Sequence, residues 1–326
     1  MREIRVASVQ PRGMAHISPF QGELDRELAR KKMTQNLDTA WKLLTMAGNA
    51  GCDLACYPED LQGIAHYGYY LDDIELMTGF VETVPGPTTD FIAKIAARHS
   101  MNIVFGIFER DGDKIYNSAV LLDRKGKLAG KYHKVHLPMS EKWTTTSGDA
   151  FPVFKTDFGT VGILICYDIV FPESSRCLAL NGAEILCNPT MGFTLPGQSE
   201  DNGLVRVRMR AMDNFLPFVL SICGSGSIIV DRDGRIRAQA RQGVEEVITA
   251  TIDLDATPTD RSQWEVITGT SDVRARLLQE RVPKAYRLLE SEAPPVLESF
   301  RDKRIRTTQK EYREAYEKIR KMWSRK

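Results

Sequence analysis

No stretch of this chain stays apolar for long. Its longest hydrophobic runs, 161–166 and 215–223, are short, and Pro217 breaks the second. A bilayer span needs about 18 apolar residues, so no membrane helix is expected. An excess of either charge is equally absent. The 44 Lys and Arg meet 43 Asp and Glu, a balance that sets up no overall field favouring nucleic acid or an acidic membrane surface. Histidine is scarce and scattered, with five residues, which argues against a metal cluster. Cys52 and Cys56 lack a second pair or suitably spaced histidines, so zinc is not expected. The N-terminal residues Met1-Arg2-Glu3-Ile4-Arg5 lack the apolar core of an export signal. A cytoplasmic location is therefore expected, with all six cysteines as reduced thiols.

What is present is a globular composition, 42% hydrophobic and 27% charged, long enough for one large α/β unit or two smaller ones. Strand and helix patterns alternate. Residues 4–10 alternate as a strand, and 31–50 carry apolar residues at helical spacing until Gly51 stops them. A short strand at 54–57 ends at Pro58-Glu59, and a second helix is predicted over 89–99. Three strands follow at 102–108, 115–122 and 127–132. The second half repeats the outline: a strand to Cys166, a helix to Asn181, a strand at 185–187, a helix over 205–214, then strands to 253. From about Thr257 the pattern changes to charged, helix-prone sequence interrupted by prolines. Residues 301–326 hold 11 Lys or Arg against 4 Asp or Glu. There Tyr312, Tyr316, Ile319 and Trp323 fall on one helical face.

The run Val161-Gly162-Ile163-Leu164-Ile165 stops at Cys166, and a helix start follows at Phe171-Pro172-Glu173. A thiol at a strand's C-terminal end can meet substrate, and the N–H groups of the next turn can stabilise negative charge. A buried structural cysteine fits the same pattern. Three further segments decide between the two readings. Glu59 ends an apolar strand after Tyr57-Pro58, Lys134 leaves a strand between His133 and His136, and Glu141 follows shortly after.

Together with Cys166-Tyr167-Asp168, these segments resemble the nitrilase superfamily of carbon–nitrogen hydrolases. Val84-Pro85-Gly86-Pro87, Tyr116-Asn117-Ser118, Asn188-Pro189-Thr190 and Arg210-Ala211-Met212-Asp213-Asn214 add to the likeness. Asp213 stands where the family more often has Glu, and the stretch around Cys223–Ser227 is shorter than usual. The resemblance implies an α/β fold, a four-layer αββα sandwich, over residues 1–291, with 292–326 as a charged helical extension. It implies Cys166 as nucleophile, Glu59 as general base, Lys134 with the Tyr167 N–H as oxyanion donors, and Glu141 as an orienting carboxylate. Tyr167, Ile169, Val170, Thr190 and His136 are expected on the substrate side. His133 and His136 are expected to pack and hydrogen-bond, and the other cysteines to be core, with Cys177 facing inward.

Nitrile-cleaving members usually have Trp-Glu after the cysteine, whereas this chain has Tyr167-Asp168, as in amidase and carbamoylase branches. Members taking acidic substrates often place an arginine where Ile169 and Val170 stand. A neutral amide or N-carbamoyl amine is therefore expected as substrate. No cofactor and no metal are expected, and nucleic acid is not an expected partner. A homodimer or larger homo-oligomer is. The alternatives are a silent scaffold that uses the basic tail, or acyl transfer by the same triad.

Overall fold

A strand in the middle of a layered interior must be apolar on both faces, and β1 (Glu3–Gln10) is. Ile4 and Val6 point into one buried cluster, Ala7 and Val9 into another. The helix α1 (Arg26–Asn49) buries Ala40, Leu43, Leu44 and Ala47 against the second of these. Gly51, at φ 71°, turns the chain out of the helix. Next come β2 (Leu54–Cys56) and α2 (Pro87–His99). Pro87 opens α2 where its missing N–H costs nothing, and Ile92, Ile95 and Ala96 face the same core.

The remaining elements are β3 (Asn102–Asp111), β4 (Lys114–Leu122), β5 (Leu128–His133), the single turn α3 (Glu141–Thr144), β6 (Val153–Lys155) and β7 (Thr160–Ile163). A 3₁₀ turn (Cys166–Val170) leads to α4 (Pro172–Leu180), β8 (Ile185–Thr190) and α5 (Glu200–Asn214). Four strands complete the sheets: β9 (Phe218–Ile222), β10 (Ile228–Val230), β11 (Ile236–Gln239) and β12 (Glu246–Asp253). The computed structural model describes residues 2–14, 26–65, 77–138, 141–192, 199–224, 226–256, 263–303, 310, 311, 314, 315 and 318. The expected aromatic stripe of the C-terminal helix lies outside these residues.

Among the described residues two six-stranded sheets form, ordered β12-β1-β2-β3-β4-β5 and β11-β10-β9-β8-β7-β6. Each has one antiparallel edge strand, then three parallel strands, then two antiparallel ones. The likeness of the two halves is thus real at the level of topology. Val6, Cys56, Val104, Ile163, Cys187 and Val219 fill the space between the sheets. A third cluster, including Leu178, Val207, Ala211 and Phe218, joins the second sheet to α4 and α5. The layers are therefore helix, sheet, sheet, helix. Ser8 Oγ donates to Leu220 O (2.6 Å) and Ser221 Oγ to Val9 O (2.5 Å), a reciprocal fastening of β1 to β9 across the interior. Buried hydroxyls need such partners.

By internal contacts the chain divides into Met1–Ala256 and Thr257–Lys326. The sequence changes character at the same place, while the expected boundary at 291/292 rests on the resemblance. The second unit holds short helices at Gln263–Thr268 and Val273–Gln279. The latter is capped by Asp272, whose Oδ1 accepts from Ala275 N at 2.9 Å.

Candidate active site

Both parallel triplets end at the same end of the sandwich, and Glu59 and Cys166 follow the ends of β2 and β7 there. After β2 the chain does not leave the sheet at once. Tyr57 N donates to Val104 O (2.8 Å), Gly106 N to Pro58 O (3.1 Å) and Leu61 N to Gly106 O (2.9 Å). Glu59 therefore lies flat against β3. Only glycine permits this at position 106, because a Cβ there would come within 2.5 Å of Glu59 Cα.

Lys134 follows β5, its N–H bonded to Asn117 O (2.9 Å) on β4. Its Nζ donates to Glu59 Oε1 (2.9 Å) and Glu141 Oε2 (2.8 Å). Asn117 Nδ2 binds the same two carboxylates, Glu59 Oε1 at 2.7 Å and Glu141 Oε1 at 2.6 Å. Met191 N holds the other oxygen of Glu59 at 2.9 Å. All of these side chains are buried. Burial works against the charge on Lys134, but Glu141 and Glu59 outweigh it and hold its pKa well above the usual lysine value. Burial raises the pKa of Glu141 despite the opposing ammonium, and Glu59 adds to the rise.

Cys166 begins the 3₁₀ turn with φ 44°, a left-handed backbone rare for a residue with a side chain. Such strain persists only where surrounding contacts over-determine it. Its Sγ lies 3.3 Å from Gly192 O. Burial and, after it, Glu59 push the thiol up to about 12, against the opposing pull of Lys134, Thr190 and the Met191 N–H. The thiol thus shares one electrostatic environment with the expected base and lysine, and it rests protonated.

Asp168 is the residue that sequence reasoning quoted but gave no task. Its carboxylate accepts from Tyr132 Oη (2.7 Å), His136 N (3.0 Å), His136 Nδ1 (2.9 Å) and Ile165 N (3.0 Å). It ties the cysteine turn to the segment that carries Lys134. Arg210, from α5, closes the other end of the turn, donating to Ile169 O and Val170 O at 3.1 Å each. Asn117 was legible only as part of a phrase. The signal that could have found both is a polar residue on an otherwise apolar strand or turn.

The expected substrate-side residues separate. Thr190 is buried beside the thiol, its Oγ1 donating to Gly192 O at 2.5 Å. Tyr167 and Val170 are half-buried. His136 stacks on Phe171, centroids 3.8 Å apart, as well as bonding Asp168. Ile169 requires a correction: it is buried with Leu164, Leu178, Val207 and Ala211 in the outer cluster. The underside of the 3₁₀ turn packs on α4 and α5, and an apolar side chain fills that space. Cys177 is a second correction. α4 turns Ser174, Ser175, Leu178 and Ala179 inward, which leaves Cys177 exposed. Cys223 is half-buried rather than core, while Cys52, Cys56 and Cys187 are buried. The sequence His66-Tyr67-Gly68-Tyr69-Tyr70, readable as an aromatic lid or equally as a packed loop, lies outside the described residues.

Glu109, Asp111 and His133 place ligand atoms within 4.8 Å of one another, a grouping the scattered histidines did not suggest. Lys131 Nζ already binds both carboxylates, so a cation's place is taken by an ammonium.

A family profile described as carbon-nitrogen hydrolase matches residues 5–261. The chain belongs to this family. It is 31% identical to a probable nitrilase of Schizosaccharomyces pombe over 257 residues, covering 75% of this chain and 88% of that protein. It is 28% identical to an N-carbamoylputrescine amidase of Oryza sativa over 288 residues, 78% and 89% of the two chains. Among solved structures, Saccharomyces cerevisiae Nit3, a member of the nitrilase superfamily, aligns with TM-score 0.60 at 27% identity, covering 77% of this chain and 90% of that one. An amidase from a Nesterenkonia species shares the fold, with TM-score 0.64 at 20% identity over 87% and 95% of the two chains.

Proposed function

We propose that this carbon–nitrogen hydrolase cleaves a small neutral amide or an N-carbamoyl amine through an acyl-enzyme on Cys166. The observation that carries this reading is the double contact of Lys134 Nζ with Glu59 and Glu141, next to a half-buried thiol whose pKa is raised. A resting thiol needs a base at the moment of attack. Glu59 takes the Sγ proton as sulfur bonds to the substrate carbonyl carbon. The resulting oxyanion is met by Lys134 Nζ and the Tyr167 N–H, each such donor lowering the barrier by about 3–4 kcal/mol. The carbon–nitrogen bond then breaks, and the proton on Glu59 goes to the leaving nitrogen. Water, deprotonated by Glu59, attacks the thioester and restores the thiol. Glu141 and Asn117 hold the ammonium and the base in register.

Support for a neutral substrate is the lack of arginine at 170, where a half-buried valine stands. A carboxylate left there without a partner is costly. The names of relatives in the amidase and carbamoyl-amine amidase group agree with this class. Ammonia release from a panel of small amides and N-carbamoyl amines tests the reading, comparing wild type with Cys166→Ala. Turnover of at least one compound, lost in the variant, is expected; equal background in both proteins contradicts it. Adding hydroxylamine separates transfer from hydrolysis by the product formed.

A further inference from the structure

The sandwich has a second mouth. Glu3 begins β1 opposite Asp253 at the end of β12, so this is the end of the sheets away from Glu59 and Cys166. A cavity of about 340 Å³ opens there, lined by Glu3, Asp231, Arg232, Arg237, Thr251 and Asp253 among others. Arg232 comes from the β10–β11 turn and is only 7% exposed. Among the described residues its sole hydrogen bond runs from Nη2 to Asp253 O, and it has no carboxylate at ion-pair distance. Burial lowers its pKa, while the surrounding carboxylates oppose that. A guanidinium carries five N–H donors in a fixed fork, so most of this one's capacity is unspent against the cavity.

We propose that this cavity binds a small zwitterion of the α-amino-acid class, its carboxylate on Arg232 and its ammonium on the Glu3–Asp253 side. The volume suits a ligand of that size. Arg237 is already committed to Asp231 at 3.3 Å, which leaves Arg232 as the cation on offer. Glu3 is exposed and has no ion-pair partner among the described residues. Among the described residues the Asp253 carboxylate accepts only the Asp255 N–H, at 2.9 Å. A simple anion satisfies Arg232 but meets the carboxylates, and a simple amine meets Arg232. A ligand with both charges satisfies both sides, and a planar carboxylate matches the guanidinium fork.

Isothermal titration calorimetry on the full-length Cys166→Ala protein tests this without turnover. Glycine, L-alanine and β-alanine are the probes, with propionate and ethylammonium as single-charge controls. Saturable binding of at least one zwitterion is expected, with neither control binding comparably. Arg232→Gln is expected to weaken binding about tenfold or more. Glu3→Gln, at an exposed position that leaves the fold alone, is expected to weaken it several-fold and keeps the test open if Arg232→Gln does not fold. Absence of saturable heat for every zwitterion, binding unchanged in the variants, or propionate binding as well as alanine each overturns the proposal.

Discussion

At the residue scale the account turns on where protons rest. Cys166 is protonated at neutral pH because burial and Glu59 together outweigh Lys134. The thiolate absorbance difference between wild type and Cys166→Ala is therefore expected to stay flat from about pH 6 to 10. A rise centred near 7 or 8 contradicts this. Asp60 offers a second test. It sits at φ 54°, fully buried, accepting from Ile64 N at 3.0 Å and Ala65 N at 2.8 Å. Burial pushes its carboxyl up to about 7, against those N–H bonds. Its folded value lies above its unfolded one, so its contribution to stability is complete below about pH 4. That contribution is lost as pH rises through about 7. Asp60→Asn keeps a residue that tolerates left-handed backbone. Denaturant melts are expected to show this variant gaining on wild type by up to a few kcal/mol between pH 5 and pH 8. No change in the difference with pH contradicts the assignment.

At the element scale the 3₁₀ turn is the part that must not move. Asp168 anchors its start to the Lys134 segment and Arg210 holds its end. Asp168→Asn leaves one acceptor oxygen where the carboxylate serves four donor groups. Because small displacements at a reacting centre cost about a hundredfold, kcat is expected to fall by roughly that factor with KM little changed. An unchanged kcat contradicts a positioning role. The strand alternation and the stops at Gly51 and Pro58-Glu59 were legible in the sequence, since periodicity and backbone punctuation are local. The placement of Ile169 and Cys177 was not. Which face of a short turn or helix meets the core depends on the packing of α4 and α5, which residue spacing does not encode. β6 and α3 were missed for a related reason, being three and four residues long. That Glu59, Lys134 and Glu141 belong to one site was legible through motif order. The bracing roles of Asn117 and Asp168 needed the registers of β4 and β5 against their neighbours.

At the scale of the whole molecule, two sheets of the same topology bury their parallel strands face to face and deliver Glu59, Lys134 and Cys166 to one end. Outside the candidate site, α5 leaves Val205, Met209 and Met212 exposed at spacings that share a helical face. A homo-oligomer is expected, and light scattering after size exclusion is expected to return a mass of at least twice 36.7 kDa. A monomer mass at micromolar concentration contradicts that expectation. The central claim is that sulfur 166 carries the acyl group, and mass spectrometry reads it most directly. Protein quenched in acid during turnover of a small amide is predicted to gain the mass of the acyl half, mapped to the peptide containing Cys166. An adduct located elsewhere, or wild-type ammonia release from Cys166→Ala, would contradict the account.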